Sequence, residues 1–368
     1  MTHIRALIIL ALFSLLSASL TAQPLIQCPT QSAPLQERWR WALKEGQSRS
    51  SQSEFWIGYC IKRLMEKDSY IGSGNMYSGN AMRGRPSLYD MISGANESSK
   101  QSSGDWKYAE RSNVEKVMKD VALLFRLSGD GKPSIVTIDV SDMELHADLT
   151  GYPLLWLGGA DDDPSVNLLK DLFVQLSTVK VKKQLVRSVG IHQRSAESFP
   201  FLKSLLKSDE PDDVRSQAAF WLGEQNHADA LQLLVAVARD DQSIKVREQA
   251  VFAVSRIESD ESTDALIDLA LKTKDSRIRA KAAFWLGEKA SQQAVATLEG
   301  IVADDEETDV QRQALYALAR VHDEAGIDRL IRIAKTHPNP RIRKQAIQCL
   351  GQTGDPKALD ALIEIVRK

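Results

Sequence analysis

Apolar residues in the C-terminal half return at helical spacing, and the pattern itself repeats. Val214, Ala218, Trp221 and Leu222 fall on one helix face at i, i+4, i+7 and i+8. The opening Val214-Arg215-Ser216-Gln217-Ala218 recurs as Val246-Arg247-Glu248-Gln249-Ala250 and as Ile278-Arg279-Ala280-Lys281-Ala282. It returns as Val310-Gln311-Arg312-Gln313-Ala314 and Ile342-Arg343-Lys344-Gln345-Ala346, each copy 32 residues after the last. A degenerate copy, Val181-Lys182-Lys183-Gln184-Leu185, precedes them by 33 residues. A second amphipathic segment follows each opening; residues 229–239 carry Leu231, Leu234, Val235 and Ala238 on one side. Two helices of about three turns and two short connections fill one period. A single such hairpin cannot bury its apolar face, so the period predicts a stack with a shared core. Gly190, Gly223, Gly287 and Gly351 close the first helices, where a left-handed residue is expected.

These repeats resemble the HEAT family, in the short form called phycobilisome-lyase-like. The resemblance rests on the Val/Ile-Arg-x-x-Ala opening, on the Leu-Gly pairs at 222–223, 286–287 and 350–351, and on the spaced Leu residues of the second helix. It covers about 200 residues, from near Pro164 to the end. The run Gly287-Glu288-Lys289-Ala290, with Arg247-Glu248-Gln249-Ala250-Val251-Phe252, is most similar to repeats of exported bacterial HEAT proteins. The resemblance implies a mainly α fold, an α-solenoid of about six repeats. It is specific for fold and poor for function, because this fold hosts scaffolds, inhibitors and a few enzymes.

The chain ahead of the repeats reads differently. Residues 35–44 predict a short amphipathic helix around Trp39 and Leu43. Phe55, Ile57, Tyr59 and Ile61 alternate, as in a strand over 53–64. Residues 71–104 are rich in Ser, Gly and Asn without periodicity and are expected to be a loop. Residues 121–127 and 135–140, joined by a turn-forming Ser128-Gly129-Asp130-Gly131-Lys132-Pro133, predict a hairpin, and 152–157 a further strand. A helix over 164–176 should start with Pro164 at its first position and Asp163 as its cap. The expected organisation is therefore 1–22, 23–112 as a partly irregular region, 113–162 as a small β-rich unit, and 163–368 as the solenoid.

Residues 1–22 look like an export signal. His3 and Arg5 precede an apolar run over 6–16 and small residues over 17–22. The run is short for a membrane span, so cleavage after Ala22 and a periplasmic or extracellular location are expected, with no integral membrane segment in the mature chain. In such a compartment Cys28 and Cys60 can pair, leaving Cys349 as a small core residue. The formal net charge of −2 argues against nucleic acid, which usually meets a strongly basic surface.

No spacing in the chain points to catalysis, a metal or a cofactor. His3, His146, His192, His227, His322 and His337 are scattered. A HEAT-like branch of iron hydroxylases carries repeated His-Glu pairs, and here His322-Asp323-Glu324 is the nearest approach. Asp161, Asp162 and Asp163 lack the alternating ligands of a calcium loop. Two rows stand out instead. Six residues after each opening lie Phe220, Phe252, Phe284 and Tyr316, then Gln348, roughly 120° from the middle of the core face. One residue after each opening lie Arg215, Arg247, Arg279 and Arg343, with Gln311 interrupting. The aromatics either form a strip that a partner covers or pack beside the next repeat. The arginines either grip carboxylates of a partner or pair with acids between repeats such as Asp213, Asp241 and Asp275. Trp221 and Trp285 are expected in the core. The reading is a non-catalytic scaffold for a protein or peptide, with a concave face lined by the second helices; the alternative is an accessory subunit or a HEAT-type lyase or hydroxylase.

Overall fold

The structure, a computed structural model, describes residues 25–49, 54–72, 87–93, 115–129, 132–145, 149, 151–225, 227–321 and 325–367. The expected export segment, the turn tip at 130–131, most of the 71–104 loop, and His3, His146 and His322 lie outside these residues. The chain forms two compact units, Met1–Leu168 and Leu169–Lys368.

The first unit is built on one sheet. Its strands are β1 (Leu25–Gln27), β2 (Glu54–Glu66), β3 (Lys116–Ser128), β4 (Ser134–Asp142) and β5 (Leu154–Gly159), in the order β1-β5-β2-β3-β4. The hairpin expected from 121–140 is present as antiparallel β3 and β4, whereas β5 runs parallel to both its neighbours. Segments 23–112 and 113–162 thus differ from two separate regions: β2 pairs with β3 over its whole length, Glu54 opposite Ser128 and Glu66 opposite Lys116. Their apolar faces complete each other. Phe55, Ile57, Tyr59 and Ile61 lie opposite Leu127, Phe125, Leu123 and Val121, all buried. Helix α1 (Leu35–Arg49) covers this face, with Trp39 edge-on to Phe125 at 5.0 Å and the Phe55 ring against Gly46.

The opposite face is buried as well, around Trp56, Ala122, Leu124, Leu154 and Trp156. Helix α2 (Leu88–Ser93) closes it with Leu88, inside the stretch whose composition reads as a loop. A capping box makes this turn: Asp90 N–H donates to Ser87 Oγ at 3.0 Å, and Ser87 N–H donates to Asp90 Oδ2 at 3.0 Å. Helix α3 (Asp162–Phe173) starts two residues ahead of Pro164, so the cap position falls at Asp161 rather than Asp163. Cys28 and Cys60 are free thiols. Cys28 follows β1, Cys60 lies on β2, and β5 runs between them. Two strand spacings, about 9.6 Å, exceed the Cα separation a disulfide spans.

The second unit is the expected α-solenoid. Its six hairpins pair α4 (Val179–Gly190) with α5 (Ser198–Leu206), α6 (Asp212–Glu224) with α7 (Ala230–Asp240), and α8 (Ile244–Arg256) with α9 (Asp260–Lys272). They continue as α10 (Ser276–Lys289) with α11 (Gln292–Asp304), α12 (Thr308–Arg320) with α13 (Gly326–Thr336), and α14 (Pro340–Thr353) with α15 (Pro356–Arg367). The opening Val214, Val246, Ile278, Val310 and Ile342 and the alanines four residues on are buried in every copy, as is Cys349.

None of the glycines expected to close the first helices is in the left-handed region: Gly223, Gly287 and Gly351 lie inside their helices, and Gly190 is the last residue of its own. A Cβ on Gly223 would meet the Ala253 carbonyl oxygen at 2.8 Å, and one on Gly287 would meet Ala317 Cβ at 2.9 Å. At Gly190 the obstacle is the Trp221 ring. Glycine is there so that successive first helices can touch. Second helices meet one another much less extensively, and each buries a leucine, Leu234, Leu266, Leu298 and Leu330 in successive repeats.

Candidate functional site

With the opening residue facing the core, each first helix turns outward at the residue before it and at the third, sixth and tenth after it. Stacking six such helices turns these positions into rows, and the rows differ in chemistry.

The sixth positions hold the aromatics. Phe220, Phe252 and Phe284 are half-buried and Tyr316 is 39% exposed. Phe220 and Phe252 stack at 5.9 Å with their planes 14° apart. Phe252 meets Trp285 of the next repeat at 4.8 Å, and Phe284 stands edge-on to Trp285 at 5.0 Å. Trp221 closes the other end, edge-on to Phe220 at 5.1 Å. Five rings therefore form one ladder across three repeats, and the Arg320 guanidinium lies 5.4 Å from the centre of Phe284. Trp221 and Trp285 belong to this ladder and not to the core, because both remain half-buried. Their Nε1 atoms are enclosed without a hydrogen-bond partner. The aromatic row thus combines the two readings of the sequence, with rings packed between repeats and still partly open to solvent.

The arginine row is not an open surface. Arg215 is buried and bridges Asp212 at 2.8 Å and Asp241 at 2.7 Å. Arg247 meets Asp275 at 3.0 Å, and Arg279 takes Asp305 with both nitrogens at 3.0 and 3.1 Å. Arg343 donates to the carbonyls of His337 and Pro338 at 2.7 and 3.0 Å. As candidates for gripping a partner these four are corrected: they tie each first helix to a neighbouring connection. Lys182 does the same to Glu210. Asp213 bonds Lys245 rather than an arginine of the row.

The third positions carry a feature visible in the quoted openings but not singled out there. Gln184, Gln217, Gln249, Gln313 and Gln345, with Lys281 between, are all half-buried and make a row of their own, one turn before the sixth positions. Cations concentrate at the two ends of the same face. Lys180, Lys183 and Arg187 belong to the first repeat, and Arg341 and Lys344 to the last. Two open grooves of the described surface lie there. One, of 430 Å³, is lined by Lys180, Lys183, Arg187, Asp213 and two of the glutamines. The other, of 310 Å³, is lined by Asp309, Arg312, Arg341, Lys344, Gln345 and Gln348.

On the far side of the aromatics, Arg256 meets Glu224 at 3.0 Å and Arg320 meets Glu288 at 2.6 Å. The second helices are laced in the same way, with Lys335 to Glu364 and Lys357 to Asp328 both at 2.6 Å. Among the described residues no three His, Cys, Asp or Glu side chains gather as a metal site, and no helix is long and apolar enough to cross a membrane. In the first unit Lys119 and Asp142 form a buried pair at 3.5 Å, and burial raises the Asp142 carboxyl above its ordinary range.

Known proteins place the repeats. No curated protein matches the chain. The solved complex of CpcE and CpcF of phycocyanin lyase from Nostoc sp. PCC7120 is similar at 19% identity over 42% of this chain and 99% of that one, with a TM-score of 0.34. Human deoxyhypusine hydroxylase in complex with glycerol is similar at 19% identity over 56% of this chain and 86% of that one, with a TM-score of 0.25. Neither likeness bears on activity. The family described as HEAT repeats matches residues 166–255, 199–287, 234–318, 263–334 and 295–368, which together cover more than half of the sequence. The chain belongs to the HEAT-repeat family.

Proposed function

We propose that this chain is a non-catalytic binding module, exported from the cytoplasm, that holds a protein or peptide along the outward face of its first helices. The observation that carries this reading is the continuous aromatic ladder from Trp221 to Phe284. Half-exposed aromatics in a row are costly to leave in water and dominate the energetics of interfaces. A holding role is further supported by the charges around it, many of which are committed to pairs between repeats. Export is supported by the pattern of residues 1–22, and a mature N-terminus at Gln23 in mass spectra of the secreted protein is its test.

The face is tested with a photo-crosslinking phenylalanine analogue. Placed at Tyr316 it should yield partner adducts in cells, and placed at Leu271, exposed on the second-helix side, it should not. Equal labelling from both positions would remove the first-helix face as the binding surface.

A further inference from the structure

We infer that the occupant of this face is an extended polypeptide segment with an apolar centre and acidic ends, which rests on the binding reading above. Charge on the face is segregated by repeat. The first repeat contributes Lys180, Lys183 and Arg187, and the last contributes Arg341 and Lys344, with no acid at the corresponding positions of either. Between them the charges largely offset, as Asp213 does with Lys245 and Asp309 with Arg312. The aromatic ladder lies in that middle stretch. The face is thus basic, apolar, basic along its length, although the whole chain carries −2.

Length and periodicity fit one extended strand. Five steps of about 8–10 Å between neighbouring helices separate the two basic ends by roughly 40–50 Å. At about 3.3 Å per residue this is a segment of roughly 12–15 residues, three to each repeat. An extended backbone leaves amide groups in need of partners, and the half-buried Gln217, Gln249, Gln313 and Gln345 carry both donors and acceptors in four of the repeats, with the donor Lys281 in the one between. The two grooves sit at the basic ends, where acidic side chains of such a segment would enter. Single-stranded nucleic acid fits less well. Bases need free ring faces, and Phe252 is flanked by Phe220 and Trp285 while Arg320 lies over Phe284.

The test uses the full mature chain and labelled peptides of about 15 residues. One has Asp and Glu at both ends and Leu, Tyr and Pro in the centre. A second has the same composition with the acids moved to the centre, a third has Lys for each acid, and an oligothymidylate of matching length is the fourth probe. Fluorescence anisotropy should rank the acid-ended peptide about tenfold or more tighter than the others, with affinity falling as salt rises. Lys180→Glu/Lys183→Glu and Arg341→Glu/Lys344→Glu, each melting like the parent, should each weaken it about tenfold. Equal binding of the permuted or lysine peptide would overturn this inference and leave the binding face standing. Tighter binding of the oligonucleotide would replace the polypeptide with nucleic acid. Failure of every probe, together with failure of crosslinking at Tyr316, would remove both readings; failure of every probe with crosslinking intact would remove this one alone.

Discussion

Asn339 Nδ2 donates to Gln311 Oε1 at 3.4 Å, at the junction where the cation row is broken. The neighbouring junction joins Arg279 to Asp305 through two charged hydrogen bonds. Loss of the cation at position 311 is therefore accompanied by loss of the acid it would have met. The same Asn339 also donates to Thr308 and caps α14 by accepting from Arg341 N–H at 3.0 Å. An aspartate left beside Gln311 would be a partly buried charge without its counter-charge, which is a costly arrangement.

Copying the neutral junction onto the charged one tests this account. Arg279→Gln alone should cost about 2–3 kcal/mol, because Asp305 keeps its charge and loses its partner. Adding Asp305→Asn should recover part of that loss, since the amide still accepts from Glu307 N–H as Asp305 does at 2.9 Å. Urea melts of the four proteins should show a coupling of about 1–3 kcal/mol. Strict additivity would mean that the two side chains do not act as a pair.

Two glycines at the same repeat position should respond oppositely to alanine. At Gly223 the new methyl would press on the backbone of Ala253, so Gly223→Ala should destabilise by about 1–3 kcal/mol. At Gly351 nothing lies within 4 Å, and Gly351→Ala should be neutral or stabilise by up to about 1 kcal/mol, the helix propensity gain. Thermal melts decide it, and equal effects would show that first helices are not in close contact at Gly223.

That contrast shows what a sequence pattern conveys and what it omits. The 32-residue period, the buried Val/Ile and Ala positions and the face of the aromatics are all set by helical geometry, so they are legible in the letters. Whether Gly223 is a helix end or a helix contact depends on Ala253 in the next repeat, and local pattern favours the wrong choice. Trp221 and Trp285 project to the edge of the core face, where a wheel cannot separate buried from half-buried. The loop reading of 71–104 misses α2 because so short a helix carries too little periodicity. For the arginines, pairing across repeats is one of the two readings the letters allow, and the glutamine row is present as the fourth letter of most openings.

Acid should weaken the solenoid partly through Asp275. The hydrogen bond from Arg277, followed by the nearby charges of Arg277 and Arg247, holds its carboxyl at about 2, below the ordinary 3.8. A depressed folded value contributes stability that is whole above about pH 5 and is lost as pH falls through about 4 toward 2. Asp275→Asn keeps an acceptor for the Arg277 N–H but lacks this titration. The stability gap between parent and variant should therefore narrow as pH falls over that window. Parallel pH profiles would exclude the pair as a source of acid sensitivity.

The thiols give a check on the first unit. Burial, followed by the charge of Asp120, pushes Cys60 up to about 11. At about pH 8 the folded protein should leave Cys60 almost unreacted with a disulfide reagent, since the thiolate is the attacking species. Denaturation without reductant should release three titratable thiols, Cys28, Cys60 and Cys349. Only one would appear if Cys28 and Cys60 were bridged, and that result would contradict the placement of β5 between them.

The aromatic ladder makes the sharpest demand. A fully buried phenylalanine costs about 3–5 kcal/mol when truncated, whereas Phe252 and Phe284 are half-buried and lean on rings of adjacent repeats. Phe252→Ser/Phe284→Ser should therefore cost about 2–4 kcal/mol in total, measured without any partner. Phe252→Leu/Phe284→Leu keeps most of the apolar area and loses the ring contacts, worth about 0.5–1.5 kcal/mol for each pair, so it should fold with a small loss. That leucine protein separates the two roles of the row. If the rings only glue repeats together, it should bind a partner as the parent does. If they form the binding surface, it should bind weakly while melting close to the parent. We expect the second outcome. Serine variants that melt like the parent would show that the ladder contributes nothing to the stack, and a leucine protein that binds unchanged would move the binding surface off this row.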